Sequence, residues 1–140
     1  MIILDTNVVS EPMNPHPDAH VVAWLNAQAL ETLCLSVITV AELRAGVAML
    51  PAGKRREALR ENLETRVLPL FAGRVLPVDM ACTESYAQLL AQTRAVGITI
   101  HTADALIAAT ALAYGHTVAT RDETPFLSAG VSVINPWTTP

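Results

Sequence analysis

The chain has 140 residues, of which 51% are hydrophobic and only 16% charged, and its formal net charge is −4. This length suits one domain with a well-formed core, so residues 1–140 are interpreted as a single domain. The net negative charge argues against non-specific nucleic-acid binding, and no unbroken apolar run reaches the roughly 20 residues that a membrane-spanning helix needs.

The low charge and high apolar content also bear on assembly and location. They predict a homo-oligomer, a dimer or larger, that buries surface from the early helices and from residues 86–90. The first residues contain neither a basic segment nor a cleavage site, so we expect no export signal and a cytoplasmic protein. Cys34 and Cys82 are expected to be reduced core residues, with a disulfide disfavoured.

Along the chain, short β-rich runs alternate with longer helical patterns. The predicted strands span residues 2–4, 33–35, 74–78, 116–120 and 131–135, and the predicted helices span 17–28, 36–51, 53–68, 79–97 and 103–115. Ser36 or Thr39 can cap the second helix, and Gly97 and Gly115 end the last two. The alternation implies βαβ units with right-handed crossovers. It predicts an α/β fold, a three-layer α/β/α sandwich around a parallel sheet of four to five strands.

Three acidic residues are directed by topology to where ligands bind in such folds, beyond the carboxyl ends of the strands. Asp5 directly follows the first strand, Glu42 lies in the early turns of the helix after the second strand, and Asp122 comes two residues after strand 116–120. Asp104 lies in the first turn of helix 103–115 and can join them if that helix starts at the same edge. Taken singly, Asp104 could cap its helix, Glu42 could be solvated and Asp122 could serve a turn. Asp5 favours a functional interpretation even alone, because it ends a buried strand.

Together, the four carboxylates predict a metal site. They would repel one another in one crevice, and a divalent cation is the usual remedy; an all-oxygen set of ligands suits Mg²⁺ or Mn²⁺. Removing these four from the 13 acidic residues leaves 9, which balances the 9 lysines and arginines. Thr6, Asn7 and Thr120 can add hydrogen bonds that hold the carboxylates in place.

The segments around these acids resemble the PIN domain, most closely the bacterial toxin ribonucleases of the VapC type in their FitB-like branch. The matching stretches are ILDTNVVSE, SVITVAELRAGV, TADALIAATA, TVATRDETPF and the closing VINPW. The resemblance implies a Mg²⁺- or Mn²⁺-dependent endoribonuclease with a cognate antitoxin. It also implies that the catalytic, metal-binding quartet is Asp5, Glu42, Asp104 and Asp122, with Thr6 as the hydroxyl that often follows the first acid.

One motif departs from the family pattern. Many relatives read T-R-N-x-x-D-F in the last motif, whereas this chain reads TRDETPF. Pro125 therefore replaces the later aspartate, and Asp122 replaces the asparagine. The segment keeps a carboxylate, shifted by one helical turn or less.

The expected mechanism needs no covalent nucleophile. A metal held by Asp5, Asp104 and Glu42 would activate a water in line with the phosphodiester, and a second ion held partly by Asp122 could stabilise the leaving oxygen. Arg44 and Arg121 neighbour site acids in sequence and are candidates for contacts to RNA phosphates. The basic stretch 54–60 is interleaved with acids and favours a solvated face. His101 is expected to be structural.

Rival functions remain open at this point. A phosphatase of the haloacid dehalogenase type also begins with a strand and an aspartate, but it needs a second aspartate where this chain has Asn7. The motifs GxGxxG and GxxxxGK[ST] are absent, which disfavours dinucleotide and P-loop binding. A DNA nuclease on the same fold would use the same acids. A non-catalytic protein could instead use the acidic pocket to dock a partner's arginine.

Overall fold

A computed structural model describes all 140 residues, and five strands form one parallel sheet at its centre. The strands are β1 (Ile2–Leu4), β2 (Leu33–Ser36), β3 (Val75–Leu76), β4 (Thr117–Ala119) and β5 (Val133–Ile134), in the spatial order β3-β2-β1-β4-β5. Ile3 of β1 pairs with Cys34 on one side and with Val118 on the other. The predicted parallel sheet is confirmed, and every strand lies within or close to its predicted range.

Seven α-helices surround the sheet. They are α1 (Thr6–Ser10), α2 (Ala19–Ala27), α3 (Val37–Ala48), α4 (Lys54–Asn62), α5 (Met80–Ala95), α6 (Thr102–Tyr114) and α7 (Glu123–Ser128). After α4 the chain continues through a π-helical turn, Leu63–Val67, and a 3₁₀ turn, Leu68–Phe71. Ser36, and not Thr39, caps α3 by accepting a hydrogen bond from the Ile38 N–H. The short helices α1 and α7 were not predicted.

The core has two halves because successive residues of a strand point to opposite faces of the sheet. Ile3 is fully buried in one half, against α5, α6 and α7, where Leu89, Ile107 and Phe126 pack. Leu4 is buried in the other half, among residues of α1, α3 and the segment after α4. The three-layer α/β/α arrangement follows from these two halves and agrees with the prediction.

The strand order creates a crevice at the centre of the sheet. From β1 the chain passes to β2 on one side, and it later returns to β4 on the other side of β1. In parallel α/β sheets, ligands bind beyond the carboxyl ends of the strands where the order reverses in this way. Asp5 and Thr120 are the residues that directly follow β1 and β4.

Two further sequence predictions can be compared with the fold. Cys34 and Cys82 are both free and buried, as expected, and burial raises the pKa of the Cys34 thiol to about 11. None of the helices is both long enough and apolar enough to span a lipid bilayer.

Candidate active site

Asp5 is the buried acid of the site, with only 5% of its surface exposed. Its Oδ1 accepts a 2.8 Å hydrogen bond from the Thr6 N–H, and its Oδ2 accepts one of 2.8 Å from the Thr120 hydroxyl. Burial nevertheless raises the pKa of Asp5 to about 6, because desolvation outweighs these two hydrogen bonds. The charges of Asp104 and Glu42 raise this pKa further. Asp5 therefore lies near both of these acids.

Thr6 links two of the acids through a single residue. Its backbone N–H bonds to Asp5, while its side-chain hydroxyl donates a 2.7 Å hydrogen bond to Glu42 Oε1. This geometry arises because α1 starts directly after Asp5 and packs against α3, which carries Glu42. Glu42 is thus held at the site from the neighbouring helix, although it is exposed to solvent.

Thr120 links Asp5 to Asp122 in a similar way. It is fully buried, and its hydroxyl donates to Asp5 and accepts a 3.0 Å hydrogen bond from the Asp122 N–H. Asn7 acts on the same turn, since its Oδ1 accepts a 3.3 Å hydrogen bond from the Arg121 N–H. Thr6 and Thr120 therefore each donate a side-chain hydrogen bond to one of these carboxylates. Asn7 instead holds the backbone of the turn between β4 and α7.

Asp104 and Asp122 begin helices, yet neither carboxylate caps its helix. Asp104 is the third residue of α6, and Asp122 precedes α7 without a side-chain hydrogen bond to it. Burial raises the pKa of Asp104, and the charges of Glu42 and Asp122 raise it further, against a smaller lowering by His101. Asp104 is thus electrostatically coupled to all three other acids. Asp122 is exposed, and its charge acts on Asp104.

The donors of this site fit a divalent cation of the Mg²⁺ type. All four side chains offer oxygen atoms, and the three ion pairs of the chain involve none of them. As the side chains stand, no three acidic, histidine or cysteine residues are close enough to hold one ion together. Mg²⁺ keeps several waters and is commonly held by only one or two carboxylates.

The predicted phosphate-binding arginines lie in different surroundings. The Arg44 guanidinium makes two hydrogen bonds to Glu64, of 2.8 and 3.0 Å, and this partner occupies it away from the acids. Arg121 lines an open cleft of about 440 Å³ together with Asp104 and Asp122, and its guanidinium lies 5.2 Å from the Trp137 ring. The structure therefore brings Arg121 to the acids and leaves Arg44 outside.

One arginine of the basic stretch 54–60, which the sequence predicted to be a solvated face, shares a cleft with two residues of the site. Arg55, near the start of α4, lines a second cleft together with Thr6 and Glu42. Its helix looks solvated in sequence because acidic and basic residues alternate along it. Only the packing of α4 against α3 brings Arg55 to this cleft, and no local pattern carries that information.

Comparisons with known proteins show the family to which this sequence is similar. A model of the PIN domain matches residues 2–130. The chain is 65% identical to plasmid stability protein StbB of Pseudomonas syringae pv. tomato, over 98% of this chain and 99% of that one. It is 57% identical to VapC ribonuclease Y4jK of Sinorhizobium fredii, over 98% of each chain. It is 53% identical to toxin FitB of Neisseria gonorrhoeae, over 98% of this chain and 99% of that one.

The fold is also similar to that of solved structures. The crystal structure of FitAcB from Neisseria gonorrhoeae superposes with a TM-score of 0.96 at 52% sequence identity. The match covers 99% of this chain and 100% of that chain. The likeness therefore extends over the whole fold and includes every element that carries a site acid.

Proposed function

The chain belongs to the PIN-domain family, in the branch of the VapC-type ribonucleases and toxin FitB, and we propose that it cleaves RNA as the toxin of a toxin–antitoxin pair. It is a hydrolase of phosphodiester bonds. One observation carries this proposal most directly: the buried Asp5 is coupled to Glu42 and Asp104, and no lysine or arginine pairs with any of them. Such uncompensated charge is suited to binding a cation.

The cofactor that we propose is Mg²⁺ or Mn²⁺, held by Asp5, Glu42 and Asp104, with Asp122 at the edge. When bound, the cation would supply positive charge to neutralise the scissile phosphodiester and would lower the pKa of the attacking water. The carboxylates that accept side-chain hydrogen bonds and those that accept none have different roles in this proposal. Thr120 and Thr6 fix Asp5 and Glu42, whereas Asp104 and Asp122 accept no hydrogen bond and can rotate toward the ligand.

The remaining side chains of the site position the reacting groups. Thr120 holds the turn that carries Asp122 by accepting a hydrogen bond from the Asp122 N–H. The Arg121 guanidinium, which lies over the Trp137 ring, is the cation that we propose to meet an RNA phosphate on this side. Pro125 takes the place of the later aspartate in the first turn of α7, and Asp122 is the acid of this motif whose charge acts on Asp104.

We propose a cognate antitoxin as the partner of this chain. An arginine or lysine of the antitoxin, placed among the four acids, would replace the charge of the cation and stop catalysis. We also propose a homo-oligomer that acts in the cytoplasm. Exposed apolar side chains such as Met49 and Met80, at 79% and 82% exposure, are consistent with buried surface between copies. Tyr86 and Leu90 are already half-buried within the chain itself, which leaves less of this region for such an interface.

Incubation of the purified protein with end-labelled RNA and with DNA of the same sequence tests the activity. We expect cleavage of RNA in Mg²⁺, no cleavage in EDTA, and loss of cleavage in Asp5→Asn. Glu61→Gln, which removes an exposed acid of α4, serves as the matched control and should cleave normally. Cleavage of DNA alone would establish the DNA nuclease instead. Antitoxin binding without any cleavage would establish a non-catalytic binding protein.

A further inference from the structure

A groove of about 320 Å³ adjoins the acidic site. Thr6 and Glu42 of the site line it together with Arg55, and Ser10 and Asn14 are its other polar residues. Apolar side chains such as Leu43 make up most of the remaining lining, and no aromatic residue lines the groove. The groove therefore places one cation, Arg55, in the same cleft as two residues of the acidic site.

Arg55 is the only cation in this groove, and it is free to bind a ligand. Three other arginines of the region, Arg44, Arg56 and Arg60, are paired with Glu64 or Glu57. Arg55 is exposed and takes part in none of these ion pairs. Its guanidinium is thus available to a negatively charged group that lies in the groove.

Gly46 is an independent sign that the groove is kept open. It lies in the interior of α3, one turn after Glu42, and it lines the same groove. Its φ is not positive, and a Cβ added there would meet no atom within 4 Å. Glycine weakens a helix interior relative to alanine, so neither backbone geometry nor packing explains a glycine at this position. We interpret it as clearance for a ligand in the groove.

Resting on the ribonuclease function proposed above, we propose that this groove holds the single-stranded RNA that flanks the scissile phosphate, with Arg55 bound to one of its phosphates. Contacts to phosphate and sugar position a nucleic acid without reading its sequence. Because the groove has no aromatic side chain for base stacking, the binding is to the backbone. The cation site and Arg55 then neutralise two different phosphates of one strand.

Binding of a fluorescent single-stranded RNA of mixed sequence to an inactive Asp104→Asn protein in Mg²⁺ tests Arg55. We expect Arg55→Gln to weaken binding about 5- to 10-fold and to lower the slope of log affinity against log salt by about 1. Arg66→Gln removes an exposed arginine of the turn after α4 and is the matched control, which should change neither quantity. An Arg55→Gln protein with unchanged affinity and slope would overturn the proposal. An Arg55→Gln protein that loses antitoxin binding and keeps RNA binding would also overturn the proposal, because the groove would then be a protein-docking surface.

Active protein supplies a second test that separates this proposal from the ribonuclease function itself. Arg55→Gln should raise the KM for a long RNA and leave kcat unchanged, while a dinucleotide, too short to reach the groove, should be cleaved at the normal rate. Equal losses of cleavage rate on the long RNA and on the dinucleotide would contradict RNA binding in the groove. Absence of RNA cleavage by the native protein would overturn the ribonuclease function, and RNA binding would still decide whether Arg55 contacts a phosphate.

Substitutions at Gly46 test the groove without touching a charge. Gly46→Ala should raise the melting temperature, because alanine favours a helix interior, and should weaken RNA binding slightly, because its methyl group enters the groove. Gly46→Phe should fill the groove and weaken RNA binding. Ala45→Phe, at the exposed position just before Gly46 in α3, should leave RNA binding unchanged. The melting temperatures of all three variants show whether each is folded. Normal RNA binding by a folded Gly46→Phe protein would exclude the groove as the path of the strand.

Discussion

The Thr120 hydroxyl donates a 2.8 Å hydrogen bond to Asp5 Oδ2 across the two central strands of the sheet. Since Leu4 pairs with Ala119, the two residues end β1 and β4 side by side, where the strand order reverses. The same hydroxyl accepts a hydrogen bond from the Asp122 N–H. One buried side chain therefore holds the central acid and the turn that carries the outermost acid.

The substitution Thr120→Val should destabilise the protein and impair the site. It keeps the shape of the side chain and removes the hydroxyl, so the buried Asp5 carboxylate loses a donor. We expect the free energy of unfolding at pH 7 to fall by about 1–3 kcal/mol and the pKa of Asp5 to rise. Urea denaturation and Mg²⁺-dependent cleavage measure the two effects.

Thr39→Val is the matched control for this substitution. Thr39 is fully buried in α3, and its Oγ1 is the one buried side-chain oxygen or nitrogen without a hydrogen-bond partner. Replacing an unpaired buried hydroxyl with a methyl group should leave stability unchanged or raise it. Equal losses of stability in Thr39→Val and Thr120→Val would show that the hydrogen bond to Asp5 contributes nothing of its own.

Without metal, the protein should become more stable as the pH falls from 7 toward 5. The pKa of Asp5 is about 6 in the folded protein, against an ordinary value of 3.8. A carboxyl group whose pKa is higher in the folded protein than in the unfolded chain adds stability to the fold. This contribution is complete below the pKa of the unfolded state, and it is lost as the pH rises through the pKa of the folded state. The difference between the two pKa values of Asp5 corresponds to about 2–3 kcal/mol of stability. The raised pKa of Asp104 changes the stability in the same direction.

Thermal melts in EDTA across this pH range, for the native protein and Asp5→Asn, isolate the effect. The difference in stability between the two proteins should change with pH because the asparagine side chain of the variant cannot titrate, while all other groups contribute equally to both. A difference that stays constant from pH 4 to pH 7 would contradict the raised pKa of Asp5.

Asp104→Asn should abolish cleavage and yet leave the metal-free protein as stable as before or more stable. Removing this charge relieves repulsion with Glu42 and Asp122, and the carboxylate caps no helix end that would suffer. We expect a gain of about 0–2 kcal/mol in EDTA. Mg²⁺ should stabilise the native protein more than the variant, since it binds only the folded state.

Thermal melts of Asp104→Asn and Asp104→Ala in EDTA and in Mg²⁺ check this prediction. The alanine variant removes any residual capping by the asparagine. Lower melting temperatures for both variants in EDTA, together with a native protein that does not respond to Mg²⁺, would mean that Asp104 is part of the scaffold.

Asp122→Asn should impair cleavage less than Asp104→Asn does. Asp122 is exposed and its charge acts on Asp104, whereas Asp104 is coupled to the other three acids. Loss of an outer group of a metal site typically costs about 10- to 100-fold in activity or metal affinity, and we expect a loss of about 10-fold here. Cleavage rates of the two variants at saturating Mg²⁺ give the comparison. A greater loss in Asp122→Asn would place this acid at the centre of the site.

The sequence predicted that Asp5, Glu42 and Asp122 would lie at one edge, because parallel strands bring their carboxyl ends together, and that Asp104 would join them only if its helix began at the same edge. Asp5 follows a strand of three residues and α3 begins at the end of β2, so topology alone places the first two acids. The helix α6 follows α5 and not a strand, so only the packing of the helices brings Asp104 to that edge. The helices α1 and α7 were missed because each is short, and α7 contains a proline that interrupts the helical pattern.

Side-chain partners between distant elements could not be predicted. Arg44 neighbours Glu42 in sequence, yet it pairs with Glu64, which lies 20 residues further along the chain. Asn7 was expected to hold a carboxylate, and it binds the Arg121 backbone instead. Both outcomes depend on how α3 packs against the segment after α4 and how α1 meets the end of β4. No local propensity encodes these contacts.

The rate of RNA cleavage as a function of Mn²⁺ concentration, in the native protein and in Asp5→Asn, tests the central claim most directly. If the four acids hold a divalent cation for catalysis, the native rate should rise from zero in EDTA to a plateau, and Asp5→Asn should show no rise at any concentration. Cleavage by the native protein in EDTA, or the same dependence on Mn²⁺ in both proteins, would contradict the account.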